Sequence, residues 1–287
     1  MTADTSLRRQ AMTGRHSSEE FREIALNGMI LRCQVGSGVH GTAISGQDDR
    51  DEIGICIEPP AYVIGNRPHY PPGGDTPDRF EQYVYRSKPE GVRSGPGDLD
   101  LTVYSLRKWM RLALQGNPTV LLPLFVPQSE IVTLSARGAW LRDMGPVILS
   151  RQAGHRFAGY LNAQRKALLS HGGKGSDVTR PELIEAYGWD TKYGAHMVRL
   201  GVQGVELLET GWITLPVPEP WRTWITELRT GGHSMNEALQ VALGMEERIR
   251  GLLAASALPE HPDYAAADDF LIRAYTAAWA DLAWWAS

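Results

Sequence analysis

Residues 36–54 of the chain read GSGVHGTAISGQDDRDEIG, and this stretch decides the fold. It opens on a glycine-serine turn directly after residues 29–35, whose apolar side chains alternate as in a half-buried strand. It ends by entering a second strand-like segment through Asp49 and Asp51. One residue separates the two aspartates, so on a strand both carboxylates project to the same face. The stretch therefore predicts two strands joined through a turn, with paired carboxylates on the second.

A second pair of acidic residues, Asp98 and Asp100, has the same spacing at the start of an alternating segment that ends near residue 104. Carboxylates that converge from neighbouring strands repel one another, and they are stable together chiefly when a divalent cation neutralises them. Hard oxygen ligands favour Mg²⁺ or Mn²⁺. Such a site can hold two ions ~3.5–4 Å apart, which clamp the attacking and leaving oxygens of a phosphoryl displacement. The acidic pairs therefore indicate metal-dependent phosphoryl chemistry.

The turn before the first acidic pair supplies a complementary group. Gly36 lets the backbone approach an anion closely, and the turn's N–H groups with the Ser37 hydroxyl can bind phosphate oxygens. A lone Gly-Ser pair is more often an ordinary loop, and a lone Asp-x-Asp is more often a solvated strand end. Their order here, followed by a third acidic strand, favours nucleotidyl transfer.

These motifs resemble the signature of polymerase-β-like nucleotidyltransferases, and within them the RNA-repair-associated bacterial and phage family (the RlaP type). The resemblance rests first on residues 36–42 (GSGVHGT) and 48–54 (DDRDEIG). It spans roughly residues 25–211, is strongest before residue 126, and continues through 100–108 (DLTVYSLRK), 116–118 (GNP), 121–125 (LLPLF) and, more loosely, 192–200 (KYGAHMVRL).

The resemblance implies an α+β fold. A polymerase-β-like nucleotidyltransferase core, made of a small mixed sheet with flanking helices, would be followed by an all-α C-terminal domain. The sequence agrees, because strand signals almost vanish from about residue 128 and helical periodicity dominates thereafter. We expect a flexible tail over residues 1–16, a catalytic domain over 17–127, and a helical domain over 128–287 that forms the other wall of the cleft.

Residue roles follow from the matched positions. Asp49 and Asp51 would be the first two catalytic carboxylates and bind two Mg²⁺ or Mn²⁺ ions. Asp100 would be the third, complete the coordination of the metal on the nucleophile side and help to deprotonate the acceptor hydroxyl. Ser37 and the neighbouring N–H groups would hold the β and γ phosphates of the NTP. Asp98 matches no motif position and is expected to be a neighbour that tunes the site.

A helix in the second half of the chain offers further nucleotide-binding candidates. Lys192, His196 and Arg199 lie at i, i+4 and i+7, so they share one helical face and form a cationic stripe. The functional interpretation is contact with the triphosphate or a nucleic-acid backbone, and the resemblance supports it over a solvated helix face. Arg151 and His155 have the same i, i+4 relation, but only their spacing supports them.

One position departs from the family pattern. The family prefers apolar residues between and after the paired carboxylates, whereas this chain has Arg50 and Glu52. These side chains would lie on the strand face that is usually buried. Either that strand end is exposed, or the two residues form an ion pair there.

Composition limits the partners. With 287 residues, 43% of them hydrophobic, and a net charge of -4, the chain is ordinary for a soluble globular protein and is not a polyanion binder as a whole. Cys33 and Cys56 lie in apolar strand-like segments, which indicates reduced core thiols. No secretory signal and no apolar run near the ~20 residues that span a bilayer are visible, so we expect no membrane partner and a cytoplasmic location.

The expected reaction transfers a nucleoside monophosphate from an NTP to an acceptor hydroxyl and releases pyrophosphate. The resemblance favours an RNA end as acceptor, for example that of a tRNA, in a repair setting. The net acidity and the lack of an obvious RNA-binding module leave open a small-molecule or protein hydroxyl. A rival of another class is a non-catalytic nucleotide-sensing module. The three acidic positions argue against it, because such a module has no need for mutually repelling carboxylates.

Overall fold

The computed structural model describes residues 16–65, 79–89, 91–170 and 180–280, so the expected tail lies outside it except for its last residue. Within these residues, five strands form one mixed sheet in the order β3-β4-β2-β1-β5, with β2 and β4 parallel and the other neighbours antiparallel. The strands are β1 (Met29–Val35), β2 (Arg50–Cys56), β3 (Gln82–Arg86), β4 (Leu99–Ser105) and β5 (Ile131–Leu134). The predicted α+β class is confirmed.

Helices make up most of the chain beyond the sheet. Ser105 caps the helix after β4 by accepting a hydrogen bond from the Lys108 N–H, as its sequence context predicts. No helix of the described ranges is long and apolar enough to cross a membrane. The helices are α1 (Glu19–Asn27), α2 (Gly36–His40), α3 (Pro60–Val63), α4 (Leu106–Leu114), α5 (Pro118–Leu121), α6 (Ala136–Arg142), α7 (Gly145–Ile148), α8 (Arg151–Leu169), α9 (Pro181–Tyr187), α10 (Thr191–Thr210), α11 (Trp221–Arg229), α12 (Met235–Ala255) and α13 (Tyr264–Ala280).

The sheet extends past residue 128, where strand signals were expected to vanish. Strand β5 pairs antiparallel with β1, and Leu134 lies opposite Leu31. It is only four residues long and mostly exposed, so it carries no alternating burial pattern that the sequence could reveal. The division of the chain at residue 127 stays a proposal, with one strand of the sheet on its far side.

Helix α10 is the centre of the helical half, because it packs against α8, α11 and α12. Its small residues allow these close approaches. A Cβ at Gly201 would lie 2.7 Å from the Cβ of Met245, and one at Gly204 would lie 2.8 Å from the Cβ of Phe157. The packing therefore fixes the rotation of α10, and with it the face that α10 presents to the sheet.

The two charged residues that depart from the family pattern form a buried ion-pair cluster. Strand β2 lies between β1 and β4, so Glu52 is only 4% exposed. Its Oε1 accepts from Nε of Arg50 at 2.5 Å, and its Oε2 accepts from Nε of Arg32 at 2.5 Å. Arg50 itself, at the strand end, keeps 46% of its side chain exposed. Both sequence alternatives therefore hold: the strand end is exposed, and an ion pair lies on its buried face.

A second buried carboxylate fastens the sheet to the last helix. Glu58 follows β2 and is fully buried. Its Oε1 accepts from Nε of Arg107 at 2.9 Å, and its Oε2 accepts from the hydroxyl of Tyr275 at 2.7 Å. The indole N–H of Trp279 donates to the Glu58 carbonyl at 3.0 Å. Burial raises the pKa of Glu58, against the lowering effect of Tyr275 and Arg107.

We expect Tyr275→Phe to lower the free energy of unfolding by about 1–3 kcal/mol, because it removes a hydrogen bond from a buried carboxylate. Chemical denaturation measures this change. Tyr264→Phe on the same helix is the matched control, since that tyrosine is 51% exposed and its hydroxyl only reaches Gln152 at 3.4 Å. Equal stability of the two variants would show that the Glu58 cluster contributes nothing.

Candidate active site

The parallel pairing of β2 and β4 brings the predicted carboxylates together. In this register Asp51 lies directly opposite Asp100, and Asp49 stands immediately before β2. Each of the three offers a carboxylate oxygen, and these oxygens all lie within 4.8 Å of one another. All three residues are partly exposed. Three hard oxygen donors at this separation suit Mg²⁺ or Mn²⁺.

The expected glycine turn is the start of the short helix α2. Gly36 has a φ of 69°, a left-handed conformation that glycine adopts without strain. A Cβ at this position would lie 2.2 Å from Oδ2 of Asp51. The anion that the Gly36 backbone approaches in this structure is therefore the carboxylate of Asp51. The next residue, Ser37, lines the same cavity as Asp51.

Asp51 lies in an unfavourable electrostatic position for an ionised carboxylate. Burial, followed by the negative charges of Asp49 and Asp100, raises the pKa of Asp51 to about 6, and nearby Lys192 only partly opposes this. Proximity to other carboxylates is costly in the absence of a cation. The site therefore carries excess negative charge that a divalent ion would neutralise.

Asp48, which the motif analysis left without a role, anchors the acidic loop to the helical half. Its Oδ1 accepts from Nη2 of Arg229 at 2.8 Å and from Nζ of Lys192 at 3.3 Å, while its Oδ2 accepts from the N–H of Ile44 at 2.7 Å. Burial alone would raise its pKa, but the hydrogen bonds from Arg229 and Ile44 lower the pKa of Asp48 to about 2. Asp48 thus stays ionised and holds the residue before Asp49 in place.

Beside Asp51 lies a cavity of about 210 Å³, which we call the cationic cavity. The predicted triad on α10 faces it, so the structure brings Lys192, His196 and Arg199 together with Ser37 and Asp51. Two arginines that were not predicted from the sequence, Arg180 and Arg229, add to the positive charge of this cavity. The cationic side chains around this cavity are Arg180, Lys192, Arg199 and Arg229.

The expected cationic stripe is only partly cationic. Burial, and then the charges of Arg199, Arg180 and Lys192, lower the pKa of His196 to about 3. Burial also lowers the pKa of His40 well below its usual range. Both imidazoles are therefore neutral near neutral pH, and the positive charge comes from Lys192 and the arginines. The i, i+4, i+7 spacing predicted the face but could not reveal the protonation state.

Arg199 is a half-buried arginine whose side-chain partners are neutral. Its Nη1 donates to Nε2 of His40 at 2.7 Å and to Oε1 of Gln203 at 2.9 Å. Among the described residues no carboxylate forms an ion pair with it. Burial lowers the pKa of Arg199 to about 10. A half-buried cation without a counter-ion is costly, and an anionic ligand would offset that cost.

A second cavity, of about 390 Å³, lies on the Asp100 side of Asp51 and is called the sheet cavity here. It shares Asp51, His196 and Arg199 with the cationic cavity, so the two spaces meet at Asp51. Strands β3 and β4 line it. Two residues that sequence reasoning missed orient Asp100: Nε of Arg86 lies 3.3 Å from its Oδ2, and the Ser94 hydroxyl donates to its Oδ1 at 2.8 Å.

The remaining sequence candidates, which are Asp98, Arg151 and His155, do not belong to the three-carboxylate group. Asp98 lies next to it, because its carbonyl accepts from the N–H of Arg50 at 2.9 Å, and its tuning role stays a prediction. Asp98 anchors its loop by accepting from the Gly95 N–H at 2.9 Å and pairing with Lys88 at 3.5 Å. Arg151 donates to the Leu253 carbonyl at 3.2 Å, and His155 on the same helix is exposed. Neither Arg151 nor His155 lines the two cavities.

Comparison with known proteins gives a family-level match. The model described as the RNA repair pathway DNA polymerase beta family (RlaP) matches residues 13–273. No curated protein matches the sequence. Among solved structures, the chain is similar to a nucleotidyltransferase-like protein from Exiguobacterium sibiricum 255-15, at 10% identity and a TM-score of 0.27, over 88% of this chain and 76% of that one. At this score the structural likeness carries no weight, so the family match is the informative result.

Proposed function

Because the chain belongs to the RNA repair pathway DNA polymerase beta family, we propose that it transfers a nucleoside monophosphate from an NTP to the end of an RNA. It is a nucleotidyltransferase of the polymerase β type, and an NTP is the substrate that this family implies. The acceptor, with a tRNA end as the leading case, is the proposed part. We also propose residues 17–127 as the catalytic domain and 128–287 as the helical domain across the cleft.

One observation carries the proposal: Asp51, whose carboxylate lies close to those of Asp49 and Asp100, lines both the cationic cavity and the sheet cavity. Nucleotidyl transfer requires two substrates on opposite sides of one phosphorus atom. The cationic cavity suits the polyanionic triphosphate, because Lys192 and Arg199 line it. Lys192 pairs with the carboxylate of Asp48, whereas Arg199 forms no ion pair with a carboxylate of the described residues. The sheet cavity, on the other side of Asp51, is then left for the acceptor.

Asp49, Asp51 and Asp100 are the residues that would hold Mg²⁺ or Mn²⁺, and we propose two ions. Bound ions would neutralise these carboxylates and stabilise the charge that develops on the transferred phosphate. Asp49 and Asp51 would bind both ions, and Asp100 would bind the ion on the acceptor side. Arg86 and Ser94 hold the Asp100 carboxylate in a fixed orientation for that role.

In the proposed reaction the acceptor hydroxyl oxygen forms a bond to the α-phosphorus. The bond from that phosphorus to the bridging oxygen breaks, and its electron pair leaves with pyrophosphate. Asp100 helps to take up the hydroxyl proton. The Ser37 hydroxyl, Lys192 and Arg199 bind the β and γ phosphates and stabilise the leaving group. His196, which is neutral, donates or accepts a hydrogen bond without adding charge.

Arg199→Met should raise the Kd of an NTP roughly tenfold to a hundredfold, since hydrogen bonds to charged groups contribute about 1.5–3 kcal/mol. We expect the thermal midpoint to change little, because the lost hydrogen bonds are offset by removal of a half-buried cation. Calorimetric titration with Mn²⁺ and a non-hydrolysable NTP measures the Kd. Arg248→Met, which removes an exposed arginine paired with Glu209, is the control. An unchanged Kd in Arg199→Met would contradict the assigned role.

The acceptor is tested by incubating the protein with Mg²⁺ and NTPs labelled at the α-phosphate, in separate reactions with total RNA, tRNA, and small-molecule acceptors. We expect label in RNA, and its loss with Asp51→Asn. Label that migrates with the protein, or with a small molecule alone, would refute the RNA acceptor and keep nucleotidyl transfer. NTP binding without pyrophosphate release would instead support a nucleotide-sensing module.

A further inference from the structure

The floor of the sheet cavity is a row of cross-strand pairs on β3 and β4. Asp100, Thr102 and Tyr104 alternate along β4, so all three side chains project to one face. On β3 they are paired with Arg86, Val84 and Gln82 in that order. Five of these six residues line the cavity, Gln82 being the exception. At about 3.3 Å per residue, the row is about 13 Å long from Asp100 to Tyr104.

The far end of this row combines an aromatic ring with a cation. Nζ of Lys108 lies 5.8 Å from the centroid of the Tyr104 ring. The same Nζ donates to the side-chain oxygen of Gln82 at 2.8 Å, so its hydrogen-bond partner is an amide rather than a carboxylate. Tyr104 is half-buried, which leaves part of its ring to the cavity. A tyrosine face beside an ammonium group is a common platform for a nucleobase and its phosphate.

The size of the cavity limits what can enter it. A volume of about 390 Å³ falls in the range of about 300–1,000 Å³ typical of small-molecule sites. Thr119 and Leu122, from outside the sheet, also line it. An end of a single strand can enter such a space with its base unstacked, whereas a base-paired end cannot.

Resting on the proposed function, we propose that the sheet cavity binds the unpaired terminus of a single-stranded RNA acceptor. The strand lies along the β3–β4 row, with its terminal ribose hydroxyl at Asp100 and a base against the ring of Tyr104. Lys108 contacts a backbone phosphate. Tyr104 and Lys108 are therefore positioning residues for the acceptor, and they do not contact the NTP in the cationic cavity.

The test uses a short single-stranded RNA whose terminal nucleotide carries 4-thiouracil and lacks ribose hydroxyls, so that it binds without reacting. Irradiated with the full-length wild-type protein, it should crosslink within residues 82–86 or 100–104, as mapped by mass spectrometry. Crosslinks confined to the helical half, or no RNA binding at all, would overturn the proposal. The same strand held in a blunt duplex should bind at least about tenfold more weakly.

Variants separate the acceptor site from the NTP site. Tyr104→Ala and Lys108→Ala should each raise the Kd of this RNA, Tyr104→Ala by roughly tenfold or more. Tyr104→Phe should bind like the wild type, because it keeps the ring. The Kd of Mn²⁺ with a non-hydrolysable NTP should stay unchanged in all three, which also reports folding. Tyr264→Ala and Lys166→Ala, both at exposed positions, are the controls.

A failure of the acceptor-site proposal and a failure of the proposed function give different experimental results. Transfer of nucleotide to RNA that is insensitive to Tyr104→Ala and Lys108→Ala, with crosslinks elsewhere, would refute the acceptor site and keep the proposed function. RNA that crosslinks at the β3–β4 row but never receives a labelled nucleotide would refute the proposed function and keep the binding site.

Discussion

Asp51→Asn should abolish nucleotidyl transfer while making the metal-free protein more stable. The substitution keeps the size of the side chain and removes one negative charge from the three-carboxylate cluster. Metal ions supply several kcal/mol of transition-state stabilisation, so we expect the rate to fall at least about a thousandfold. A filter assay with α-labelled NTP and the acceptor RNA measures the rate.

The gain in stability follows from the repulsion among the three carboxylates. In the folded protein the pKa of Asp51 is about 6, against an ordinary value of 3.8. The folded state therefore holds this proton more tightly than the unfolded state does. That advantage is fully present below pH 3.8 and is lost as the pH rises through about 6. Near neutral pH the ionised Asp51 costs roughly 2–3 kcal/mol, a cost that asparagine avoids.

Thermal unfolding of the wild type and Asp51→Asn tests the sign of this effect. We expect the variant to be the more stable at about pH 7.5, and the difference to vanish at about pH 3.5. Mn²⁺ should raise the midpoint of the wild type and leave the variant nearly unchanged. Asp143→Asn, at an exposed position, is the control for removing a negative charge. A variant less stable than the wild type at about pH 7.5 would contradict the prediction.

Gly36→Ala should lower nucleotidyl transfer more than about a hundredfold, because the new methyl group would displace Asp51 from the metal site. Its Cβ would lie 2.2 Å from Oδ2 of Asp51, and the carboxylate would have to rotate away. The φ of 69° adds backbone strain of about 1–2 kcal/mol. Steady-state kinetics, together with the Kd of Mn²⁺, measure the loss.

Gly46→Ala distinguishes the effect of the contact with Asp51 from the effect of backbone strain at a positive φ. Gly46 has a similar φ of 74°, but nothing lies within 4 Å of the Cβ that alanine would add. We therefore expect Gly46→Ala to lose stability and to keep most of its activity. If both variants lose activity equally, backbone strain in this loop is responsible, and the contact between Gly36 and Asp51 is not.

The sequence predicted the parts of the site that depend on local spacing. Strands β1, β2 and β4 lie close to where they were predicted, and the alternation of β4 is confirmed by its burial. The half-buried pattern predicted for β1 was wrong, because β1 is buried on both faces, and Asp49 lies just before β2 rather than in it. The opposition of Asp51 and Asp100 could not be derived from spacing, because it depends on the register of a parallel pair of strands. The family resemblance supplied that link by naming Asp100.

Residues that act through distant contacts escaped prediction. Asp48 lies beside the motif, but its partner Arg229 is 181 residues away along the chain. Arg86 and Ser94 flank Asp100 through the pairing of β3 with β4 and the loop between them. The neutrality of His196 depends on burial. Each of these features requires the tertiary structure, and no periodicity in the sequence reports it.

The cluster around Glu58 has a consequence for the order in which the protein can mature on the ribosome. Glu58 follows the strand that carries Asp51, yet its partners Tyr275 and Trp279 belong to the last described helix. Synthesis is vectorial, so residues 17–127 emerge first, and Glu58 then has Arg107 but not yet Tyr275 or Trp279 as a partner. Emerging chains would keep this region open until α13 is complete. We therefore expect metal-dependent activity to appear only after α13 has been translated, so that shorter products stay inactive.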